Sequence, residues 1–427
     1  MNIDNSFEEL KDFYDNNLNK DRSSFKSSND EPTPIDCINE MIDKIPIELW
    51  KRDKLLIMDA CCGNGNFSIA IYNKLNKYHK KNEILEGIIE FNDINEERLR
   101  NVKKIFKNDE YQLKIIKDDY LEYKTSKRYD LIVSNPPYAR LMEDGKRTSK
   151  NHNLIKDFIE KTLLLLKPDG YLLFITPDNW MSYADRNLLI EKITSLQIIH
   201  LDIHIAKKYF KKIGSSFTWY IIKNCEYYED ISIRGIWRNN IYEGFVKSQK
   251  RRYIPLLYNQ IIQGILEKTI ENNKLKKFEI KTSSYLHKYT KAKMINTEEN
   301  NIYKYKLIHT PKQIVYSSIP HKYQEGFKVF ISTTDKYKIF VDNCGMTQSI
   351  AFIICRDEEE ANKYQEILEH PVYKFINDIC RWGNFNNIRI LQQFPIPDKE
   401  DIYESFKLTK EEIAYINDNL DHNYHLK

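Results

Sequence analysis

The sequence runs to 427 residues, 41% of them hydrophobic, with 66 Lys and Arg against 62 Asp and Glu for a formal net charge of +4. That length suits two domains rather than one. With no apolar run of about 18 residues, a membrane span is excluded, and the acidic, polar start MNIDNSFEELKDFYDNN lacks the apolar stretch of a secretory leader. Seven cysteines, none in a CxxC pair, point to a reduced, cytoplasmic chain with no zinc framework and no disulfide scaffold. The charge is unevenly spread. Residues 231–350 hold 21 Lys/Arg against 9 Asp/Glu (+12), residues 351–427 hold 9 against 15 (−6), and residues 1–230 therefore carry −2. A basic block beside a near-neutral one fits a polyanion-facing module joined to a small-molecule-binding one, although a solvated lysine-rich surface would look the same by charge alone.

In chain order, residues 20–32 (KDRSSFKSSNDEP) are polar and predict a mobile segment. LLIMDA (55–60) predicts a short buried strand and FSIAIYNKL (67–75) a helix. ILEGIIEF (84–91) predicts a strand, and NEERLRNVKKIF (95–106) a helix with apolar spacing at Leu99, Val102, Ile105 and Phe106. YQLKIIK (111–117) and YDLIVS (129–134) predict strands, LIKDFIEKTLLLL (154–166) a helix, and YLLFIT (171–176) a strand. This alternation predicts a mostly parallel sheet between helices. QIIHLDIH (197–204) and SSFTWYIIKN (215–224) follow too closely for a crossover helix, so they should pair antiparallel. Beyond about residue 230 the alternation stops. KYKLIHT, KQIVYSS, KVFIST, YKIFVDN and SIAFIIC come in quick succession before the helical EEEANKYQEILEH, which predicts a separate α+β domain. The expected divisions are residues 1–30 as a polar helix and mobile segment, 31–228 as the catalytic domain and 229–427 as the second domain.

Four motifs sit at strand ends in that frame. The first, Asp59-Ala60-Cys61-Cys62-Gly63-Asn64-Gly65, leaves a strand and enters a helix. Its glycines permit a tight turn and let a ligand lie against the backbone. An acid there suits a cationic ligand without pyrophosphate, such as S-adenosyl-L-methionine with its ammonium and sulfonium, and the third glycine of a nicotinamide fingerprint is absent. The second, Glu90-Phe91-Asn92-Asp93, offers a carboxylate for ribose hydroxyls. Asp93 is preferred, with Glu90 as a competitor and helix capping as the plain alternative. The third, Asp118-Asp119-Tyr120, could take the adenine amino group on Asp119 with Tyr120 against the ring, or could simply be solvated or capping acids.

The fourth is Ser134-Asn135-Pro136-Pro137-Tyr138, directly after YDLIVS. The lone pair of an exocyclic aromatic amine is delocalised into its ring, so the nitrogen is a poor nucleophile. Two acceptors on its NH₂ pull it toward tetrahedral geometry and localise the pair. The Asn135 side-chain oxygen and the Pro136 carbonyl can serve, Pro136 and Pro137 hold the loop, and Tyr138 can stack on an extruded base.

Taken together, these residues resemble the N6-adenine DNA methyltransferases of restriction–modification systems, in the TaqI-like group with its target-recognition domain at the C-terminus. The resemblance starts at Glu31-Pro32-Thr33-Pro34, where it implies that Thr33 lies near the methionine part of the cofactor. It continues through Asp59, Cys61, Gly63, Gly65, Asp93, Asp119 and Asn135 to Tyr138. It also implies a Rossmann-like class I methyltransferase sheet closed by an antiparallel hairpin, on which Phe217 would face the flipped base. Core packing of Phe217, with Phe210 and Trp219 close in sequence, is an equal alternative. The family's usual Pro-Ala-Cys-Gly is replaced here by Asp59-Ala60-Cys61-Cys62-Gly63. Looser matches fall at Gly345-Met346-Thr347-Gln348 and Leu391-Gln392-Gln393-Phe394-Pro395-Ile396-Pro397.

The implied partners are double-stranded DNA and a separately encoded endonuclease, with the chain a monomer. Lys250, Arg251 and Arg252 are candidate phosphate contacts, and Arg381 and Asn384 candidate base readers. Three rivals stay open: methylation of another planar nitrogen (ribosomal RNA adenine, protein glutamine or N4 of DNA cytosine), a non-catalytic DNA specificity subunit, and a fused nuclease on Glu279-Ile280-Lys281. The last is disfavoured because such triplets arise by chance in a chain that is 30% charged.

Overall fold

The computed structural model describes residues 1–21, 31–138, 154–185, 188–210, 216–334 and 336–420. They form two compact units, Met1–Trp180 with Leu188–Arg251, and Met181–Asn187 with Arg252–Lys427.

The first unit is built on a nine-stranded sheet. Its strands are β1 (Ile57–Asp59), β2 (Ile89–Asn92), β3 (Lys114–Ile116), β4 (Tyr129–Ser134), β5 (Leu166–Pro177), β6 (Leu196–Ile203), β7 (Phe217–Glu226), β8 (Ile231–Trp237) and β9 (Asn240–Val246), in the order β3-β2-β1-β4-β5-β7-β6-β8-β9. From β3 to β5 every pairing is parallel. β7 then runs antiparallel to both β5 and β6, as the short connection predicted. β1, β2 and β4 are buried along their whole length, as apolar runs must be when a parallel sheet is covered on both faces. The helices between them read directly from sequence. Asn95 caps Glu96–Ile105 by accepting from Glu97 N and Arg98 N at 2.9 and 3.3 Å, and Leu99, Val102 and Ile105 form its buried stripe.

Three expectations are corrected. ILEGIIEF is not one strand: Ile84–Ile88 form a wide helical turn that buries Ile84, Leu85 and Ile88, and the strand begins at Ile89. An unbroken apolar run carries no period to separate the two states. Secondly, β8 and β9 extend the large sheet, β8 parallel to β6 and β9 antiparallel to β8. The first unit therefore ends at Arg251 rather than at 228, and Met181–Asn187 join the second unit. Thirdly, the expected N-terminal polar helix is present but belongs to the first unit, whose core takes in Ile3, Leu10 and Tyr14. Ser6 caps Phe7–Phe13 in a reciprocal capping box with Glu9, and Leu10 and Tyr14 are buried. Most of the segment expected to be mobile, 22–30, lies outside the described residues.

The second unit holds two four-stranded sheets. One contains β10 (Lys281–Thr282), β14 (Lys328–Ser332), β15 (Ile339–Asp342) and β17 (Ile350–Ile354), ordered β10-β17-β14-β15 and antiparallel throughout. The other contains β11 (Ile295–Asn296), β12 (Tyr305–Thr310), β13 (Gln313–Ser317) and β16 (Gly345–Met346), ordered β11-β13-β12-β16. Its helices include Gln260–Lys268, Glu358–Leu368, Pro371–Ile379 and Lys410–Asn419. No helix among the described residues is long and apolar enough to cross a membrane.

Candidate active site

The chemistry-bearing residues gather where β1, β2, β3 and β4 end. A parallel strand followed by a helix leaves its carboxyl end open, and ligands of such sheets bind there. After β1 the chain turns through Gly63 (φ 53°) and Gly65 (φ 90°) into the helix Asn66–Leu75. The two glycines serve different ends. A Cβ on Gly65 would stand 3.1 Å from Phe106 and 3.2 Å from the Tyr14 hydroxyl, whereas one on Gly63 would meet nothing within 4 Å. Gly65 is needed for packing, and Gly63 faces open space. The turn is laced to its surroundings by Cys62 N to Asn92 O and Gly65 N to Cys62 O, both at 2.8 Å, and by the Tyr14 hydroxyl donating to Asn64 O at 2.9 Å.

Asp59 is fully buried at the end of β1. Its Oδ2 accepts from Ser68 Oγ at 2.7 Å, and its Oδ1 has no hydrogen-bond partner among the described residues. Burial pushes its pKa up to about 7, helped by the nearby Asp93 carboxylate and opposed by the Ser68 bond. Asp93, after β2, accepts from Gly63 N on one oxygen and from Asn95 N on the other, each at 2.8 Å. Its competitor Glu90 points elsewhere: Lys127 Nζ and the Tyr129 hydroxyl hold its two oxygens at 2.5 and 2.6 Å. Asp93 is thus the acid joined to the glycine turn. Cys61 is partly exposed, and burial of its sulfur with the neighbouring Asp93 raises its thiol pKa well above the usual value.

Asp119 accepts from Leu121 N at 3.0 Å, the capping arrangement left open above. Tyr120 departs from expectation. It is buried, stacked on Phe158 at 5.7 Å, with its hydroxyl 2.9 Å from Thr162 Oγ1. A ring so packed fills the layer between sheet and helix and offers no open platform.

After β4, the Asn135 side-chain nitrogen donates to Glu31 O at 2.8 Å and to Thr33 Oγ1 at 3.1 Å, and its oxygen accepts from the Tyr138 hydroxyl. Pro136 and Pro137 carry the chain on to Tyr138. The Tyr138 ring lies 5.9 Å from Phe217, tilted 52°, and Phe217 in turn lies 4.8 Å from Phe210. Phe217 is 4% exposed, so it is both core and neighbour of Tyr138.

Sequence reasoning missed several partners of this edge. Asn66 Nδ2 donates to Thr33 O at 2.9 Å and to Asn19 Oδ1 at 3.1 Å. His204, in the left-handed region at φ 70°, sets Nε2 2.5 Å from Asp178 Oδ2 across the ends of β6 and β5. No spacing signals either, because both join residues distant in sequence.

The candidate DNA contacts separate by exposure. Lys250 is 60% exposed and lies 3.3 Å from Glu191. Arg251 is 6% exposed, its backbone N donating to Thr194 Oγ1 at 2.9 Å, so it is corrected to an interior residue. Arg252 is exposed and lies over the Tyr183 ring at 5.4 Å. In the second unit Gly383 (φ 81°) turns the chain so that Asn384 and Phe385 are exposed, while Arg381 donates to Asn384 O at 2.8 Å. Two residues of the looser family matches lie in the interior. Thr347 is buried and bonded to His309 at 2.7 Å, and Phe394 is buried with its carbonyl accepting from Phe278 N at 3.0 Å. Glu279 and Lys281 pair with each other at 2.9 Å.

Residues 39–206 match the family of Eco57I restriction-modification methylases. Apart from Met181–Asn187, the matched residues fall in the first unit. The chain is 31% identical over 137 residues to malonyl-[acyl-carrier protein] O-methyltransferase 2 of Ilyobacter polytropus, covering 32% of this chain and 45% of that one. It is 33% identical over 89 residues to the type II methyltransferase M.TthHB8I of Thermus thermophilus, covering 17% of this chain and 21% of that one. The chain thus spans less than half the length of either relative. A solved structure, the nuclease-deletion mutant of the Type ISP restriction-modification enzyme LlaGI in complex with a DNA substrate mimic, shares the fold over 97% of this chain and 56% of its own, with a TM-score of 0.56 at 10% identity. S-adenosylmethionine is the cofactor expected from the sequence motifs. The residues fit it: an orphaned, buried carboxylate oxygen on Asp59 suits a cationic ligand, and the backbone at Gly63 has room for one to approach.

Proposed function

We propose that this protein methylates N6 of an extruded adenine in double-stranded DNA, as the modification enzyme of a restriction–modification system or an orphan relative of one. The observation that carries the reading is the bonding of Asn135. Its amide nitrogen is held by Glu31 O and Thr33 Oγ1, which turns its oxygen toward Tyr138. In this reading Asn135 Oδ1 and the Pro136 carbonyl accept the two N–H bonds of the amine and localise its lone pair, as preorganised acceptors that need no reorganisation when the reaction begins. Tyr138 stacks on the base, with Phe217 behind it. S-adenosylmethionine, when bound, supplies an electrophilic methyl group. Asp59 faces its cationic end, Gly63 lets it approach the backbone, and Asp93 sits where ribose hydroxyls would need an acceptor.

The second unit supplies the DNA-reading surface. Tyr285 and Tyr289 are 47% and 72% exposed in a segment rich in lysine, with Lys288, Lys291 and Lys293 close by. Cations there neutralise phosphates while polar and aromatic neighbours reach base edges. A cognate endonuclease is a separate chain in this reading.

The test is direct. DNA from a methylase-free strain is incubated with the protein and S-adenosylmethionine, then digested to nucleosides for mass spectrometry. N6-methyldeoxyadenosine is expected, and methylation-sensitive sequencing of the same DNA gives the site. N4-methyldeoxycytidine, or methyl transfer to protein glutamine with none to DNA, would overturn the proposal.

A further inference from the structure

Thr33 is expected, by resemblance, to lie near the methionine part of the cofactor. Its bonding assigns it another task. The Asn135 amide could sit in either of two orientations differing by a half-turn, and only one presents oxygen to a substrate amine. Glu31 O is a carbonyl and can only accept, so the group facing it at 2.8 Å must be the Asn135 NH₂. Thr33 Oγ1, at 3.1 Å, takes a bond from the same nitrogen. Those two acceptors fix the oxygen on the opposite side, where the Tyr138 hydroxyl donates to it.

The anchor is itself rigid. Thr33 is 2% exposed and stands between Pro32 and Pro34, whose rings restrict the backbone on both sides. Pro34 caps the helix Ile35–Ile42 at φ −60° and ψ 141°. Thr33 O accepts from Asn66 Nδ2 at 2.9 Å, and Asn66 is the first residue of the helix that follows the glycine turn. Three links therefore join the ligand turn to the acceptor amide: Asn66 to Thr33, Thr33 to Asn135, and Glu31 to Asn135.

We propose that Glu31 O and the Thr33 hydroxyl form a positioning element that orients the Asn135 amide for methyl transfer and ties it to the cofactor turn. The orientation itself stands on geometry alone; its consequence for rate rests on the function proposed above. Thr33 acts through Asn135, and so its loss should lower the rate of the chemical step without loosening either ligand.

Two measurements on the full chain separate these layers. The first needs no activity. In protein labelled with ¹⁵N at asparagine, the Asn135 side-chain amide is assigned by its loss in Asn135→Asp, and its hydrogen exchange is measured. Exchange slowed relative to exposed asparagines is expected, and faster exchange in Thr33→Val. Solvent-like exchange in the native protein would overturn the anchor whatever the enzyme methylates. The second is single-turnover transfer of tritiated methyl from S-adenosylmethionine to DNA from a methylase-free strain. Thr33→Val should transfer roughly fivefold to tenfold more slowly, the scale of one lost hydrogen bond, with the dissociation constant for S-adenosylmethionine changed less than twofold, and Thr33→Ser should recover the rate. A rate restored by saturating S-adenosylmethionine would make Thr33 a cofactor contact instead and overturn the positioning role. So would an unchanged rate. Melting curves for the Val and Ser variants guard against misfolding, and the exchange measurement on the native protein still tests the anchor if the Val variant does not fold. A native protein that leaves DNA unmethylated yet shows the slowed exchange refutes the proposed function and spares the anchor.

Discussion

The two halves of the sheet's open edge are prepared in opposite ways. At the glycine turn, Asp59 is buried with one carboxylate oxygen unpartnered and a pKa pushed up to about 7. At the loop after β4, each polar atom of the Asn135 amide has a partner within the chain. Among the described residues no cation partners the Asp59 carboxylate, and a ligand that brings one relieves the cost of ionising a buried acid. The second is already satisfied, and in the proposed reaction the substrate amine replaces the Tyr138 hydroxyl at the Asn135 oxygen. A charge vacancy favours binding; a pre-aimed acceptor favours a transition state. Substitutions at the two ends should therefore fail differently.

The largest effect is expected at the acceptor. Asn135→Ala should slow methyl transfer by about 10²-fold or more, because one preorganised acceptor is lost. Its affinity for S-adenosylmethionine, measured by titration calorimetry, should stay within twofold. Loss of affinity in step with rate would erase the distinction between the two regions.

Next comes the vacancy. Asp59→Asn should weaken S-adenosylmethionine binding by roughly 10- to 100-fold, the scale of a hydrogen bond to a charged group. It should also change the pH dependence of the apo protein. The folded pKa of Asp59 is raised above its unfolded value of about 3.8, so the folded state binds more protons between pH 4 and 7 and wild-type stability falls as pH rises through that window. Other buried groups act over the same range: Asp202, also raised to about 7 by burial, works in the same direction, and His200, lowered to about 3 by burial, works against it. The informative quantity is the difference between variant and wild type. The melting temperature of Asp59→Asn relative to wild type should climb from pH 4 to pH 7 and then level off; a flat difference would mean that Asp59 is ionised in the apo protein.

A smaller contrast lies within the glycine turn. Gly65→Ala combines a left-handed backbone with a methyl 3.1 Å from Phe106 and should cost about 2 kcal/mol of stability. Gly63→Ala meets no atom within 4 Å, so urea unfolding should show a cost of about 1 kcal/mol, from backbone conformation alone. Its cofactor affinity should nonetheless drop, because the added methyl enters the space a ligand needs. Equal affinity in Gly63→Ala and wild type would place the ligand elsewhere.

Much of this edge was legible in sequence, and the reason is local. Asp59, the glycines, Asp93 and Asn135 each sit at the end of a strand that its apolar run announces, and a parallel sheet brings such ends together. The preference for Asp93 over Glu90 needed coordinates, because alternate residues of a strand point to opposite faces and the partners of Glu90, Lys127 and Tyr129, come from another part of the chain. Tyr120 was misjudged for a related reason: its position in the loop is local, while Phe158 and Thr162, which bury it, lie on a later helix. The Thr33–Asn135 link spans 102 residues and left no trace in spacing. The same limit hid the true end of the sheet, since Ile231–Trp237 and Asn240–Val246 join it by pairing with β6 and with each other, and nothing local in their sequence says which sheet takes them.

The smallest effect tests whether neighbouring cations in sequence divide as their burial does. Lys250, Arg251 and Arg252 look alike as a basic triplet. Only Lys250 and Arg252 are exposed, whereas Arg251 is 6% exposed. A phosphate contact requires a cation that solvent and DNA can reach, and each contact contributes about 0.9 to the slope of log affinity against log salt. If these residues meet DNA, Arg252→Ala or Lys250→Ala should flatten that slope by up to about 0.9, with the preferred site unchanged. Arg251→Ala should leave the slope alone and lower the melting temperature, because its aliphatic stem and guanidinium are part of the interior. Filter binding of a duplex carrying the sequenced site, from low to moderate salt, gives all three slopes. A flattened slope in Arg251→Ala with unchanged melting would reverse the assignment, and with it the rule that burial, rather than position in a charged run, decides which of these cations can touch a polyanion.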